Sequence, residues 1–239
     1  MADSGTELMY VMTALVAQGL VYCWVCHLQS CSNSGSSAQG YWRSGCLFRD
    51  NRHMELNWSV KNSKIVWQGR FPVVEDLLES DYDGREHLYT YLGIDSTAVG
   101  VVALDSRQRL LLVNEYRHPV GRVVKDIPMG TAERGENLRE AAARELQEET
   151  GWAAQSLQYI GGLYPVPALT SLRFEFYFSQ DLIEGEPSPD ESEVLEVEWM
   201  DLELVVEKLT SGDLAHGGLP MALPMALQKG ILKPPSHKV

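Results

Sequence analysis

The sequence predicts an α/β sandwich with one main domain, preceded by a small N-terminal antiparallel sheet. Two observations favour this class. Short runs of apolar and polar alternation dominate residues 60–127, and a strong helical pattern at 137–150 is followed by further strands and two more helical patterns. The 239 residues are 44% hydrophobic and 22% charged, which is ordinary globular composition. Sheets flanked by a few helices are the arrangement that such a pattern favours.

The strands are expected on both sides of the first helix along the chain. Asp83-Gly84 is a hairpin signal between two of them, and Gly151 follows the helix at a position typical of a C-cap. Residues 184–192 read EGEPSPDES and are expected to form an acidic loop. The predicted strands are 64–67, 71–77, 87–94, 98–103, 109–115, 123–127, 157–163, 172–180 and 194–199, and the predicted helices are 137–150, 201–210 and 220–229.

Residues 1–53 differ in composition from the rest of the chain. Residues 8–28 form an apolar run long enough to span a bilayer, so a disordered leader, a membrane tether and a non-native start are all open interpretations. Cys23 and Cys26 with His27 match a haem attachment pattern, and Cys31 could add a zinc ligand. A cysteine-containing apolar run without either group is the stronger interpretation. The predicted divisions are 1–53 as leader, 54–95 as N-terminal strands and 96–239 as the main domain.

Charge and cysteine content exclude several classes of protein. Lys and Arg number 20 against 33 Asp and Glu, and the resulting net charge of −13 disfavours binding to nucleic acid or to an anionic membrane surface. No cysteine follows Cys46, which excludes a disulfide-stapled fold for the main body. For residues 54–239 we therefore expect a cytoplasmic protein.

Three carboxylates share one face of the helix predicted at 137–150. At 100° per residue, Glu145, Glu148 and Glu149 lie within one sector, where their like charges repel one another. A divalent cation would neutralise this repulsion, and an oxygen-only ligand set favours Mg2+ or Mn2+ over zinc. Glu136, just before the helix, can join the cluster. The pattern therefore predicts a site for a hard divalent cation.

Residues 130–152, GTAERGENLREAAARELQEETGW, resemble the Nudix box. The resemblance implies a Nudix-type α/β/α sandwich and a Mg2+-dependent pyrophosphohydrolase in which Mn2+ can substitute. Trp152 is bulkier than the aliphatic residue usual at its position. The residues in register with the box are Gly130, Glu136, Arg144, Glu145, Leu146, Glu148, Glu149, Gly151 and Trp152.

The flanking residues resemble the branch of this family that hydrolyses ADP-ribose and other nucleotide sugars. The matching segments are residues 115–119, EYRHP, and residues 126–130, DIPMG, together with Pro167. Two positions depart from the branch, because Asp126 replaces a usual Glu and Ala168 replaces a usual Gly after Pro167. The substrate implied is a nucleoside diphosphate sugar, with ADP-ribose as the best candidate and AMP and ribose 5-phosphate as its products.

The resemblance also implies roles for individual residues. Arg117 would bind a phosphate and Pro167 would lie at the substrate, whereas Arg144 would orient the carboxylates. Glu191, or as second choice Glu193, would be the general base on the acidic loop. The metal ligands would be the backbone carbonyl of Met129 and the carboxylates of Glu136, Glu145, Glu148 and Glu149, of which Glu149 is also a catalytic residue.

The N-terminal strands are expected to support a homodimer, as in this branch. They carry Trp67, Phe71, Tyr89 and Tyr91, which we expect to be core side chains more often than a platform for the nucleobase.

Three functional alternatives are open. The chain could be a catalytically weak Nudix-like module that binds nucleotides, a hydrolase of other nucleotide sugars or a hydrolase of dinucleotides. All four carboxylates of the box are present, which favours an enzyme.

Overall fold

The computed structural model describes residues 58–188, 195–214 and 216–234, and among them two compact units can be distinguished. One unit contains residues 58–94 with 168–170, and the other contains the described residues from 95 to 167 and from 171 onward. The predicted leader at 1–53 lies outside the described residues. Within the described part of the chain, no helix is long and apolar enough to cross a membrane.

The first unit is a three-stranded antiparallel sheet in the order β1-β2-β3. Its strands are β1 (Trp58–Trp67), β2 (Val73–Ser80) and β3 (Glu86–Leu92). The β2–β3 turn uses Gly84 at φ +68°, as the predicted hairpin requires. The β1 strand begins earlier than the predicted strand at 64–67, because it is exposed along its whole length and shows no burial alternation for a pattern to detect.

The exposure of this sheet corrects one expectation about its aromatic residues. Trp67 is 59% exposed and Phe71 is 45% exposed, so neither is a core side chain. Tyr89 and Tyr91 are half-buried, and the Tyr89 hydroxyl donates a hydrogen bond to the Ala168 carbonyl at 2.8 Å. The described sheet buries few of its own side chains, so Trp67 and Phe71 lie at the surface.

The second unit contains three sheets and three helices. A four-stranded sheet has the order β7-β4-β10-β9, a three-stranded sheet has the order β12-β5-β6, and β11 pairs with β8. Within the four-stranded sheet β4 and β10 are parallel, and the other pairs are antiparallel. The elements are β4 (Thr97–Ala103), β5 (Arg109–Arg117), β6 (Arg122–Asp126), β7 (Met129–Thr131), α1 (Leu138–Thr150), β8 (Trp152–Ala154), β9 (Gln158–Leu163), β10 (Arg173–Ser179), β11 (Leu182–Glu184), β12 (Leu195–Asp201), α2 (Leu202–Ser211) and α3 (Leu219–Gln228).

Two hydrophobic cores lie on opposite faces of these sheets. Val99 and Val101 of β4 pack with Ala141, Ala142 and Leu146 of α1. The next β4 residue, Val102, faces a second core with side chains of α2 and α3. This alternation gives an α/β/α arrangement, so the predicted fold class is confirmed. The sequence did not predict the three-residue strands β7, β8 and β11, because they are too short to show the alternation of apolar and polar residues.

Candidate active site

Helix α1 presents the box carboxylates because local sequence fixes both of its ends. The Asn137 side chain accepts a hydrogen bond from the Arg139 N–H at 3.0 Å and caps the first turn. Gly151 ends the helix in the left-handed region at φ +76°, and its N–H donates to the Gln147 carbonyl. Trp152, which follows, is accommodated by edge-on packing against Trp199, with the ring centroids 5.3 Å apart.

One guanidinium connects three of the four carboxylates of the box. Arg144 donates to both oxygens of Glu136 at 3.0 Å, to Glu145 at 3.0 Å and to Glu148 at 2.9 Å. It also donates to the Thr131 carbonyl at 3.4 Å. These bonds raise the pKa of Arg144 above its ordinary value and hold the pKa of Glu136 below its usual range. Arg144 therefore lies between these carboxylates, and its predicted orienting role stays a prediction.

The fourth carboxylate, Glu149, is connected to the strand that precedes the helix. It is 7% exposed, and it accepts the backbone N–H of Met129 at 3.0 Å. This bond brings the Met129 peptide next to the helix. Gly130 leaves the space that the Glu145 carboxylate occupies, because a Cβ atom at residue 130 would overlap that carboxylate. With any other residue at position 130, the Glu145 carboxylate would have to move from this place.

The chemistry of this cluster fits a hard divalent cation. Arg144 pairs with three carboxylates and Glu149 adds a fourth at the Met129 N–H, which leaves a negative charge for a cation to neutralise. Among the described residues, no group of three or more His, Cys, Asp or Glu side chains is arranged to hold a metal ion. The available donors are nevertheless all oxygens, the type of ligand that Mg2+ and Mn2+ prefer. The predicted ligands of such an ion stay Glu136, Glu145, Glu148, Glu149 and the Met129 carbonyl.

The flanks of the acidic loop are attached to two different elements, α1 with the glycine that ends it and strand β5. On one side the Ser188 N–H donates to the Glu148 carbonyl at 2.9 Å, and the Gly185 N–H donates to the Gly151 carbonyl at 2.8 Å. On the other side Leu195 pairs with Glu115 in the β12–β5 ladder. Glu191 and Glu193 themselves lie outside the described residues.

Two predicted substrate residues lie on other elements of the same unit. Arg117 is at the end of β5, where its guanidinium is 48% exposed and forms an ion pair with Glu115 at 2.6 Å. Pro167 is exposed on the connection between β9 and β10. Both residues therefore lie on elements other than the helix that carries three of the box carboxylates.

Sequence reasoning overlooked the structural role of Asp126. It was noted only as a departure from the usual Glu, yet its side chain is 8% exposed and accepts three backbone N–H groups. Two of these donors, Gly218 and Leu219, are more than 90 positions away along the chain. No local pattern reports a pairing at such a distance, although an aspartate within the apolar pattern of β6 was a possible signal.

Comparison with known proteins identifies the family to which this site belongs. The sequence matches the NUDIX domain family over residues 95–218, which is more than half of the chain. It is similar to ADP-ribose pyrophosphatase from Bacillus subtilis (strain 168), with 31% identity over 119 residues, which make up 49% of this chain. That match spans 64% of the Bacillus protein, less than two thirds of its length.

Two further similarities extend over more of the chain. CMP-5'-(N-acetyl-N-hydroxy-3-aminopropyl)phosphonate hydrolase from Streptomyces rubellomurinus (strain ATCC 31215) is 28% identical over 183 residues, which cover 73% of this chain and 84% of that protein. A crystal structure of an ADP compounds hydrolase is similar with a TM-score of 0.67 and 26% identity, covering 73% of this chain and 96% of that chain. The predicted hydrolase class agrees with the names of all three relatives. The family prediction is confirmed, and the chain belongs to the NUDIX domain family.

Proposed function

We propose that this chain is a Mg2+-dependent pyrophosphohydrolase that cleaves ADP-ribose to AMP and ribose 5-phosphate. The observation that carries the proposal is the arrangement of Glu136, Glu145 and Glu148 around Arg144, with Glu149 bound to the Met129 peptide. This arrangement concentrates oxygen donors beside a loop backbone. Without a cation to bind, the repulsion between these like-charged carboxylates would only destabilise the helix.

Nudix hydrolases generally use a divalent metal ion, and we propose Mg2+ for this chain. Glu136, Glu145, Glu148, Glu149 and the Met129 carbonyl would hold it. When bound, a divalent ion neutralises diphosphate charge and lowers the pKa of a bound water. The chain's own contribution is orientation, since Arg144 fixes three of the carboxylates and the Met129 N–H fixes the fourth.

The substrate proposal is supported by the names of the relatives and by Arg117. The Bacillus relative is an ADP-ribose pyrophosphatase, and the structural neighbour is an ADP compounds hydrolase. The exposed guanidinium of Arg117 could bind a phosphate of the substrate, and Pro167 would contact the substrate on the β9–β10 connection. The reaction adds water across the P–O–P bond and gives two phosphate monoesters.

A second substrate class is favoured by one comparison. The Streptomyces relative, a hydrolase of a CMP-linked phosphonate, matches 73% of this chain, a larger share than the Bacillus relative does. The two substrate classes have different nucleobases, so a substrate panel separates them. A binding module without activity is less well supported, because all four box carboxylates are present.

The general base is proposed to lie on the acidic loop, with Glu191 as first choice and Glu193 as second. The support is the position of the loop flanks, since Ser188 is bound to the Glu148 carbonyl and Leu195 pairs with Glu115 beside Arg117. The described flanks of the loop are thus bound to α1, which carries the box carboxylates, and to β5, which carries Arg117.

We also propose that residues 58–94 form a dimerisation element of a homodimer. Trp58, Val60, Ile65 and Trp67 of β1 are between 46% and 60% exposed. Exposed apolar groups at this density are typical of interaction surfaces. The β1 strand is also an edge strand of the described sheet, which is suited to association.

Replacing Glu149 by Gln tests the metal requirement. The amide can still accept the Met129 N–H but lacks the charge, so we expect turnover to fall by about 100-fold or more at saturating Mg2+ while the circular dichroism spectrum is unchanged. Glu140→Gln, at an exposed position of the same helix, is the matched control and should be unaffected. Near-normal turnover of Glu149→Gln would contradict the metal assignment.

A substrate panel tests the substrate proposal. ADP-ribose, ADP-glucose, UDP-glucose, GDP-mannose, NADH and a CMP-linked phosphonate are compared by kcat/KM with Mg2+ present. We expect the kcat/KM for ADP-ribose to exceed those for UDP-glucose and GDP-mannose by about 10-fold or more. A site that hydrogen-bonds one nucleobase lowers kcat/KM for substrates with another base by at least this factor. Highest activity on the CMP-linked phosphonate would support the second class instead.

Comparing two carboxylates of the acidic loop tests the general base. Glu191→Gln is expected to lower kcat by about 100-fold or more and leave KM little changed, whereas Glu193→Gln should do much less. The double variant shows whether one carboxylate substitutes for the other. Loss of activity in Glu193→Gln alone would assign the role to Glu193, and no effect in either variant would remove the loop from the chemistry.

The dimer proposal is tested by light scattering of the full chain. We expect a mass of twice the 26.7 kDa of one chain, and a shift toward the single-chain mass in Ile65→Lys/Trp67→Ser. Val123→Ser, which changes an exposed apolar residue of the other unit, is the control. A wild-type mass of one chain at high micromolar concentration would refute a homodimer.

A further inference from the structure

Asp126, at the end of β6, is a buried carboxylate that connects two elements. Its Oδ1 accepts the N–H groups of Ile127 at 2.8 Å and Leu219 at 2.7 Å, and its Oδ2 accepts the N–H of Gly218 at 2.8 Å. Leu219 is the first residue of α3 and Gly218 is its N-cap. One side chain therefore binds the N-terminal turn of α3 to the residue that begins the connection to β7.

Hydrogen bonds, and not an ion pair, are the main offset to the burial of this carboxylate. Among the described residues it forms no ion pair with Lys, Arg or His. Burial raises the pKa of Asp126 to about 6, against the opposing effect of the three N–H donors and the charge of Arg117. An apolar residue at this position would avoid the cost of burial. The three hydrogen bonds to backbone N–H groups offset the cost of burying this carboxylate.

The turn before α3, at Gly217, leaves space for the Asp126 side chain. Gly217 has φ +65°, and a Cβ atom at this position would overlap the Asp126 carboxylate. Only glycine combines this backbone conformation with such a close approach.

The same turn contacts the Met129 side chain. A Cβ atom on Gly218 would lie 2.9 Å from Met129 Sδ, so the methionine side chain packs directly against the backbone of the turn. On its other side, the Met129 N–H is bound to Glu149, and the Pro128 carbonyl accepts the Val101 N–H at 3.0 Å. Residues 127–130 are thus held by β4, by the box helix and, through Asp126, by α3.

We infer that Asp126 is a positioning residue for the proposed hydrolase site. By fixing residues 127–130 to the first turn of α3, Asp126 determines where the Met129 peptide lies relative to Glu149. The inference rests on the proposed function, because the Met129 carbonyl matters only if it binds the metal. The competing interpretation is that Asp126 only anchors α3 and has no effect on the box.

The test measures metal affinity and stability separately. Mn2+ binding to the full chain is followed by electron paramagnetic resonance without substrate, and the Tm is recorded without metal. In Asp126→Asn one backbone N–H loses its acceptor, so we expect the Kd for Mn2+ to rise about 10-fold and kcat at saturating Mg2+ to fall about 10-fold.

Asp105→Asn is the matched control. Asp105 also accepts two backbone N–H groups, from Arg107 and Arg109, but it lies in the β4–β5 turn. We expect a lower Tm in this variant with the wild-type Kd for Mn2+. If Asp126→Asn likewise lowers only the Tm and leaves Mn2+ affinity and kcat unchanged, Asp126 is a structural anchor and the inference is wrong.

A second variant decides the matter if Asp126→Asn does not fold. Asp126→Glu keeps the charge and the acceptors but adds one methylene, which should displace residues 127–130 and raise the Kd for Mn2+ by about 3-fold or more. Wild-type Mn2+ affinity in this variant would overturn the inference. Absence of ADP-ribose hydrolysis by the wild-type chain, with Mn2+ affinity still dependent on Asp126, would contradict only the proposed function.

Discussion

The candidate site depends on one constraint, the accumulation of carboxylates around a single guanidinium. Arg144 binds Glu136, Glu145 and Glu148 at 2.9 to 3.0 Å, and its planar fork matches both oxygens of Glu136. A lysine could not reproduce this geometry with a single ammonium group. The remaining negative charge is the basis of the proposed divalent-ion site, and this charge gives the helix its proposed chemical role.

The rest of the second unit holds this cluster in place. Ala141, Ala142 and Leu146 are fully buried against β4 and β5, so the opposite side of α1 presents its carboxylates in a fixed orientation. Strand β7 pairs with β4 and brings the Met129 peptide to Glu149. The site therefore combines a helix and a strand that are each fixed by the core, which limits the reorganisation needed when a ligand binds.

The sequence predicted the parts of this arrangement that are local. Helix α1, its glycine C-cap and the shared face of Glu145, Glu148 and Glu149 follow from spacing alone. The exposed strand β1 was predicted too short because its residues show no alternation of burial. The pairing of Asp126 with Gly218 was not predictable, since it joins segments far apart in sequence that meet only in the folded chain. The Glu145 carboxylate beside Gly130 likewise depends on tertiary packing, although both residues belong to one motif.

The central claim is that these carboxylates support hydrolysis of a diphosphate. Phosphorus NMR of ADP-ribose incubated with the full chain and Mg2+ tests it directly, because diphosphate and phosphate monoester signals are separate. The account predicts that the diphosphate signals are replaced by two monoester signals of equal area, from AMP and ribose 5-phosphate. Persistence of the diphosphate signals, or the appearance of inorganic phosphate as the product, would contradict it.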